Sequence, residues 1–456
     1  MSEPIAFHSP LLPLAGDDLP DMTGLPRGMV SWPLDQGHSG CATGTGAASV
    51  AASLARAARH GTWRFPDRPV VFVSDAHADA DGFLRSLVAA GAIRRDRAQP
   101  RQFQLTPFGR TAKIVVGGDC LDKGPSNLDL LAALKALIDT GADVHLLAGN
   151  HDLRFLVALM ALERAPCGGV AATRALTEHL FIRLGRKAMP LLAEVYGKHV
   201  APHGLPADLP DEAACKAILY PGDDWAKRFE RAAKPYLKGK ARAREIQRGE
   251  KKRRTFAEAA EDYGLTMRMI LAAARACRDL FLGNGDLSWF YGRMQAVTRT
   301  GSILFVHAGL DDAACRLLAE DGPDAVNHAF LDEALRDPFG FYFGAVANMM
   351  RTKYRDSDRT LTEQGVDDLL ATGVKMVVQG HVNNHAGQRL LAKNGLLHLE
   401  GDVSLDAGTR ALEGLAGHGA GATLIYPTGD MVGLCADFPM AKHFHPLHHG
   451  QEGPRQ

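Results

Sequence analysis

Ile114-Val115-Val116-Gly117-Gly118-Asp119-Cys120-Leu121-Asp122-Lys123-Gly124 decides how the rest of the chain is read. Consecutive β-branched residues mark a strand buried on both faces, so Asp119 and Asp122 fall where that strand ends. Working outward, the same pattern repeats. Val70-Val71-Phe72-Val73 precedes Asp75-Ala76-His77, and Val144-His145-Leu146-Leu147 precedes Gly149-Asn150-His151-Asp152. Ile303-Leu304-Phe305-Val306 precedes His307-Ala308-Gly309, and Val374-Lys375-Met376-Val377-Val378 precedes Gly380-His381. In open α/β sheets the carboxyl ends of the strands are where ligands bind, so these segments are expected to form one divided site.

The residue types say what that site holds. Carboxylate, amide and imidazole groups suit Mn, Fe, Zn, Ni, Co or Mg, whereas thiolates would point to Zn or an iron–sulfur cluster, and Cys120 is the only cysteine in these segments. Two cations about 3.5–4 Å apart need a ligand that bridges them, a task suited to a carboxylate with two free oxygens. Asp119 is the candidate.

In order and in strand context the segments resemble the calcineurin-like metallophosphoesterase superfamily. Gly118-Asp119 with Asp122-Lys123-Gly124-Pro125, Gly149-Asn150-His151-Asp152 and His307-Ala308-Gly309-Leu310 look most like its phosphoprotein-phosphatase and diadenosine-tetraphosphatase branch. The resemblance implies two divalent cations, with Mn the first expectation. Asp75, His77 and Asp119 would hold the first, and Asp119, Asn150, His307 and His381 the second. It implies that His151 protonates the leaving oxygen while a water made acidic by the metals attacks phosphorus in line, and that Asp122 orients the imidazole.

Three departures bear on what is carried over. Ala78-Asp79-Ala80-Asp81-Gly82 intervenes before the expected helix of residues 83–90, so Asp79 is either an acid near the site or the helix N-cap. Lys123 stands where many relatives carry Arg; a lysine offers charge to one phosphate oxygen but cannot grip two at once. The superfamily's common Gly-His-x-His reads Gly380-His381-Val382-Asn383 here, as in the phosphoprotein-phosphatase branch. Arg154 and Arg351 are expected to complete the phosphate pocket with Lys123, since a guanidinium fork matches two phosphate oxygens.

Other polar residues have plainer readings. His145 lies within a strand and is expected to pack there, Asp143 and Asp152 to cap turns, and His385 either to reach the site or to face solvent. His443-Phe444-His445-Pro446-Leu447-His448-His449 resembles a metal tract but lies in a tail without a core pattern, so a flexible terminus is expected. Gly37-His38-Ser39-Gly40-Cys41-Ala42-Thr43-Gly44-Thr45-Gly46 resembles a phosphate loop superficially but lacks the Lys-Ser/Thr ending and a preceding strand.

Composition fits an enzyme with a large core: 46% of residues are apolar and 23% charged. The formal net charge of zero argues against a polyelectrolyte partner for the whole chain. Seven irregularly spaced cysteines indicate reduced thiols rather than a disulfide framework. With no bilayer-spanning apolar run and no basic-then-apolar leader, a cytoplasmic location without membrane contact is expected.

The expected fold is α/β: two β-sheets packed as a sandwich, flanked by helices, with a large helical insertion. Residues 67–154 and 300–436 form the core, and residues 155–299 a helical cap. Residues 1–66 form an extension, flexible apart from an Ala-rich helix over 45–60, and residues 437–456 a flexible tail. Helix 128–137 and strand 144–147 complete a βαβ unit, and stretches 396–405 and 422–434 read as closing strands, with a turn at Pro427-Thr428-Gly429-Asp430. Within the cap, residues 227–254 hold thirteen Lys or Arg against three acids. Such a run is ordinarily a solvated helix face; the functional alternative is a patch that steers a polyanion toward the cleft. The expected activity is therefore two-metal hydrolysis of a phosphomonoester, on a phosphoprotein or a small molecule. Dinucleoside polyphosphate or nucleotide hydrolysis, or a non-catalytic binding module on the same fold, are the alternatives, and RNA is a less favoured partner.

Overall fold

Strand Val70–Val73 is buried on both faces, and its alternation sorts two cores. Val71 and Val73 pack with the helices outside the sheet, whereas Val70 and Phe72 point inward to a second sheet, where the Phe72 and Phe305 rings lie 5.9 Å apart. The computed structural model describes residues 28–32, 46–95, 101–162, 171–355 and 358–449. The glycine-rich stretch 37–46 lies outside the described residues, Gly46 excepted.

The first sheet has eight strands, in the order Met29–Ser31, Ala441–Phe444, Met431–Cys435, Gly421–Ile425, Val70–Val73, Lys113–Val116, Asp143–Leu147, Met294–Gln295. The last four run parallel to one another, and Gly421–Ile425 joins them antiparallel. The second sheet has five strands, Arg389–Lys393, Leu396–Glu400, Met376–Gln379, Ile303–Val306 and Val297–Thr300, whose inner three are parallel. Ile303, Phe305, Met376, Val378, Leu397 and Leu399 from this sheet meet Val70, Phe72, Val115 and Leu147 from the first. The expected α/β double-sheet sandwich is what forms.

Helix starts follow side-chain caps. Asp79 Oδ1 accepts from Gly82 N at 2.8 Å, so the second helix runs Ala80–Ala89, three residues earlier than the sequence pattern suggests. Ser126 caps Asn127–Asp139 in the same way. Two closing elements differ from expectation. The stretch from Leu396 stays extended only to Glu400, because the Asp402 carboxylate accepts from Ser404 N at 2.9 Å and Ser404 adopts a left-handed φ of 55°, a local turn that competes with the ladder. The segment expected as a flexible tail instead contributes Ala441–Phe444 to the first sheet, paired with Met29–Ser31 and Met431–Cys435.

The Ala-rich helix, Ala47–Arg59, docks on the second sheet's outer edge. Arg56 donates to Asn394 O at 3.0 Å and Glu363 O at 2.8 Å and pairs with Asp367 at 2.9 Å, while the fully buried Lys375 donates to Ala57 O at 2.6 Å. A cation on the last carbonyls of a helix satisfies groups the helix itself leaves open.

Between the two halves of the site the chain is mainly helical. Helices Ala171–Ile182 and Gly239–Asp262 pack on helix Trp225–Ala232 around Trp225, which is completely buried and stacks on His179 at 5.6 Å and Phe229 at 5.2 Å. No helix among the described residues is long and apolar enough to cross a membrane.

Candidate metal centre

The turns that carry the site residues are built from unusual backbone. Asp75, His77, Ala78, Asp119, Asp122, Lys123 and His381 all have φ between 41° and 76°. Such conformations cost non-glycine residues free energy and persist where surrounding structure enforces them, chiefly at functional sites. The enforcement is visible at two motif glycines. A Cβ on Gly149 would lie 2.0 Å from Asp119 N, and one on Gly380 would lie 2.1 Å from Asp75 Oδ2, so only glycine lets these turns close around the carboxylates.

The carboxylates are fixed from several directions. Asp119 Oδ1 accepts from His151 N at 2.8 Å and Asp119 Oδ2 from Asn150 Nδ2 at 3.0 Å. Asp75 Oδ2 accepts from Ser74 Oγ and from His381 N at 2.9 Å, tying the first sheet to the second. Asp152 bonds Cys120 N, Leu121 N and Gly149 N, each at 3.0 Å, and so holds two motif turns together, which is the capping role the sequence suggested for it. Burial with the neighbouring Asp119 pushes Asp152 up to about 7.

Three imidazoles converge on these carboxylates. His77 donates from Nδ1 to Leu121 O at 3.3 Å, leaving its Nε2 lone pair 3.7 Å from Asp119 Oδ2 and 3.9 Å from Asp75 Oδ1. His307 donates from Nδ1 to Gly117 O at 2.7 Å, and its Nε2 lies 3.4 Å from Asp119 Oδ1. Among the described residues His381 Nε2 is buried without a hydrogen-bond partner, as is His307 Nε2. At His307 and His381 acceptor thus faces acceptor in a buried site, an arrangement completed by a cation or by an extra proton, whereas the His77 Nε2 lone pair already accepts from Lys123 Nζ at 2.8 Å. His77, Asp119 and His151 form one group able to hold a metal ion, and Asp119, His307 and His381 another, sharing Asp119. This N/O donor set fits divalent cations. The charge pattern agrees: burial would raise the Asp119 pKa, yet His307 and His151 hold it well below the usual carboxylate range. Burial works against a charged His307, but Asp119 and Asp75 lift it to about 9.

The sequence candidates fall into three sets. Asp75, His77, Asp119, Asn150, His307 and His381 are buried together at the facing ends of the two sheets. Asn150 presents its amide nitrogen to Asp119 and its oxygen to Arg154 Nη2 at 3.4 Å, so joining a cation through oxygen requires the amide to turn over. His151 and Asp122 are paired, Nδ1 to Oδ2 at 2.7 Å, with His151 in the first turn of helix Asn150–Ala161. His151 Nε2 lies 3.8 Å from Asp119 Oδ2, which is why geometry groups it with His77. Burial and the adjacent Lys187 push its pKa down to about 4, against the upward pull of Asp119 and Asp122.

The cations separate. Lys123 Nζ donates to His77 Nε2 at 2.8 Å, and Arg154 borders the cavity beside His151. Arg351 instead lays its guanidinium over the Tyr342 ring at 4.3 Å and the Phe343 ring at 5.5 Å, and donates from Nε to Ala347 O; among the described residues it makes no hydrogen bond to the metal-site groups. Asp79 is the helix cap, His145 sits between Asp143 and Gln295 on its strand, and His385 is half exposed and pairs with Glu413.

Two participants have no sequence signal. Lys187, from the helical segment, places Nζ 3.1 Å from Asp122 Oδ2 and 3.2 Å from His151 Nε2. Nothing in Arg183-Leu184-Gly185-Arg186-Lys187 distinguishes it from a surface lysine. Asp402 is buried beside Asp75, and burial with that like charge raises its pKa well above normal.

Residues 68–237 match the sequence profile described as calcineurin-like phosphoesterase, a span that includes Asp75 through His151 and Lys187 and ends before His307. No curated protein matches the chain. Among solved structures it is similar to a point mutant of a cold-active protein tyrosine phosphatase, at 15% identity and TM-score 0.43 over 84% of this chain and 83% of that one. It is also similar to the cold-active protein-tyrosine phosphatase of a psychrophilic Shewanella, at 15% identity and TM-score 0.40 over 84% and 83%. A Saccharomyces cerevisiae protein serine/threonine phosphatase with similarity to human phosphatase PP5 aligns at 11% identity and TM-score 0.35 over 90% of each chain. Residues 68–237, which carry the first half of the site, are thus similar to calcineurin-like phosphoesterases, and the ordered Asp and His residues that frame the site could hold a metal ion.

Proposed function

We propose that this chain hydrolyses a phosphomonoester at a pair of divalent cations held by Asp75, His77, Asp119, Asn150, His307 and His381, with His151 as general acid. The observation that carries the reading is the two groups of buried ligand atoms that share Asp119, with His307 Nε2 and His381 Nε2 left without a hydrogen-bond partner among the described residues. Divalent cations bound there supply Lewis acidity to the phosphoryl oxygens and lower the pKa of a water, with Mn the first choice among the metals this donor set suits.

The remaining steps belong to side chains. Asp122 accepts from His151 Nδ1–H and orients the ring; to act as general acid the imidazole takes up a second proton at Nε2, which Asp119 and Asp122 favour against burial and Lys187, and passes it to the departing oxygen. The N-terminus of helix Asn150–Ala161 adds its positive dipole end where the phosphoryl group would sit. Lys123 offers one charged donor to a phosphoryl oxygen, and Arg154 a second from the other side of His151. Arg351 is held on the Tyr342 and Phe343 rings, so we assign phosphate binding to Lys123 and Arg154. A dinucleoside polyphosphate or other anhydride substrate is the second reading, favoured by the additional cations beside His151.

Asp119→Asn and His307→Ala each remove a buried donor to the shared site, so both are expected to abolish turnover and lower metal content measured by elemental analysis. Two full metal equivalents with intact activity in both variants would overturn the assignment. A panel of phosphorylated compounds assayed with Mn, Ni, Co, Zn and Mg after chelation then ranks metal and substrate.

A further inference from the structure

The helical segment carries more positive charge to the general acid than the phosphoesterase chemistry needs. Lys187 reaches it from the turn Gly185–Ala188 and Arg154 borders the same cavity from helix Asn150–Ala161, while Arg183, just after helix Ala171–Ile182, and Lys252, on helix Gly239–Asp262, lie close enough to act electrostatically on these two. Helix Gly239–Asp262 packs on that turn, and the Lys252 stem lies so close to Gly185 that a Cβ there would meet Lys252 Cδ at 2.5 Å. Four cations are therefore collected beside two carboxylates, Asp122 and Glu245.

Those carboxylates are already engaged. Glu245 bonds His179 at 3.3 Å, Arg183 at 3.2 Å and Arg248 at 2.7 Å. Asp122 Oδ2 is divided between His151 and Lys187. Among the described residues Lys252 has no carboxylate partner within ion-pair distance, and Arg154 has only the Asn150 amide oxygen at 3.4 Å. The neighbours of Lys252 in the basic run differ: Arg253 is bound to Asp223, Glu250 and Pro221 O, and Lys251 and Arg254 are exposed. The surplus is local. Burial would raise the Tyr342 phenol, yet Arg183, Arg154 and Arg351 draw it down to about 6. After burial, the like charges of Arg154, Lys187 and Arg183 lower Lys252 to about 8.

Uncompensated cations in a partly desolvated site raise the local potential and call for an anion. Resting on the reading of His151 as general acid, we propose that Lys187 and Lys252, beyond Arg154, form a subsite for a second phosphoryl group carried by the leaving group. The side follows from the geometry. Lys187 Nζ is 3.2 Å from His151 Nε2, the atom that delivers the proton to the departing oxygen, whereas Lys123 sits apart on His77. The cavity between His151, Asp122, Arg154 and Lys187 measures about 20 Å³, room for one water. An entering phosphoryl group must therefore draw Lys187, 29% exposed, away from Asp122 and exchange one anion for another. The same movement takes the ammonium off His151 Nε2 and leaves that nitrogen free to act on the leaving group.

The test compares propyl phosphate with propane-1,3-diol bisphosphate and with propyl diphosphate on the metal-loaded full chain. At least one doubly phosphorylated compound is expected to exceed propyl phosphate in kcat/KM by about ten-fold or more, the scale of one added charge-assisted contact. Lys187→Met and Lys252→Met should each collapse that ratio toward one, and Lys252→Arg should keep it. In parallel, calorimetric titration of the chelator-treated chain with propane-1,3-diol bisphosphate should show binding that Lys252→Met weakens about ten-fold. If nothing is hydrolysed while the titration behaves as expected, the phosphoesterase reading fails and the anion subsite stands. Ratios near one for both compounds in the wild type, or a titration the lysine variants do not alter, overturn the subsite.

Discussion

His151 carries the reading of the chemistry, and its role can be separated from that of the metal ligands. A general acid matters in proportion to how badly the leaving group needs a proton. His151→Asn is expected to cost about 10²–10⁴-fold with an alkyl phosphate and far less with an activated aryl phosphate, whose phenolate departs unaided. Metal content should stay near that of the wild type, because the imidazole is bound to Asp122 through Nδ1 and contacted by Lys187 at Nε2. Equal losses on both substrates, or loss of a metal, would instead make His151 a ligand, the role its grouping with His77 and Asp119 would also permit. At this scale the residues that come together around Asp119 were readable because each lies at the end of a buried apolar run, where a short motif fixes both strand end and side-chain type. Lys187 was not readable: its importance comes from the packing of one turn against Asp122, with no periodicity or motif to mark it. Arg351 shows the converse, since its place in the sequence suggested phosphate and its aromatic neighbours took the guanidinium.

Among the elements, helix Gly239–Asp262 has the least legible sequence and a specific internal demand. Its mean composition is strongly basic, yet Gly249 faces Trp225, and a Cβ there would lie 2.2 Å from Trp225 Cη2. The indole is fully buried, donates to Ala175 O at 3.3 Å and stacks on His179, so it has little room to retreat. Alanine would gain up to ~1 kcal/mol in helix propensity, but overpacking a filled core costs about 1–3 kcal/mol. Gly249→Ala is therefore expected to lower stability in urea unfolding, and a raised midpoint would refute the packing argument. The strands show why other elements could be read directly: runs such as Val70–Val73 and Ile303–Val306 are apolar throughout and buried on both faces. The strand Ala441–Phe444 lies among histidines and a buried lysine, so no apolar pattern announced it. Its partners are a hairpin and an N-terminal strand far away in sequence.

At the scale of the whole molecule, the site is a seam. Asp75 and Asp119 come from one sheet and His307 and His381 from the other, and the Asp75–His381 backbone bond and the Asp119–His307 contact cross between them. Without a cation, a proton on His307 does the joining. Its folded pKa of about 9 lies above its ordinary value of 6.5, so the stabilisation is fully present below about 6.5 and is lost as pH rises through about 9. Chelated protein should therefore show a melting temperature that falls between those limits, and His307→Gln should flatten that fall. Metal-loaded protein should not show it, because a cation fills the same position. On the proposed metal reading, the seam would trade one proton for a divalent ion. Metal uptake at neutral pH should acidify an unbuffered solution, and apparent metal affinity should climb with pH until His307 is already bare.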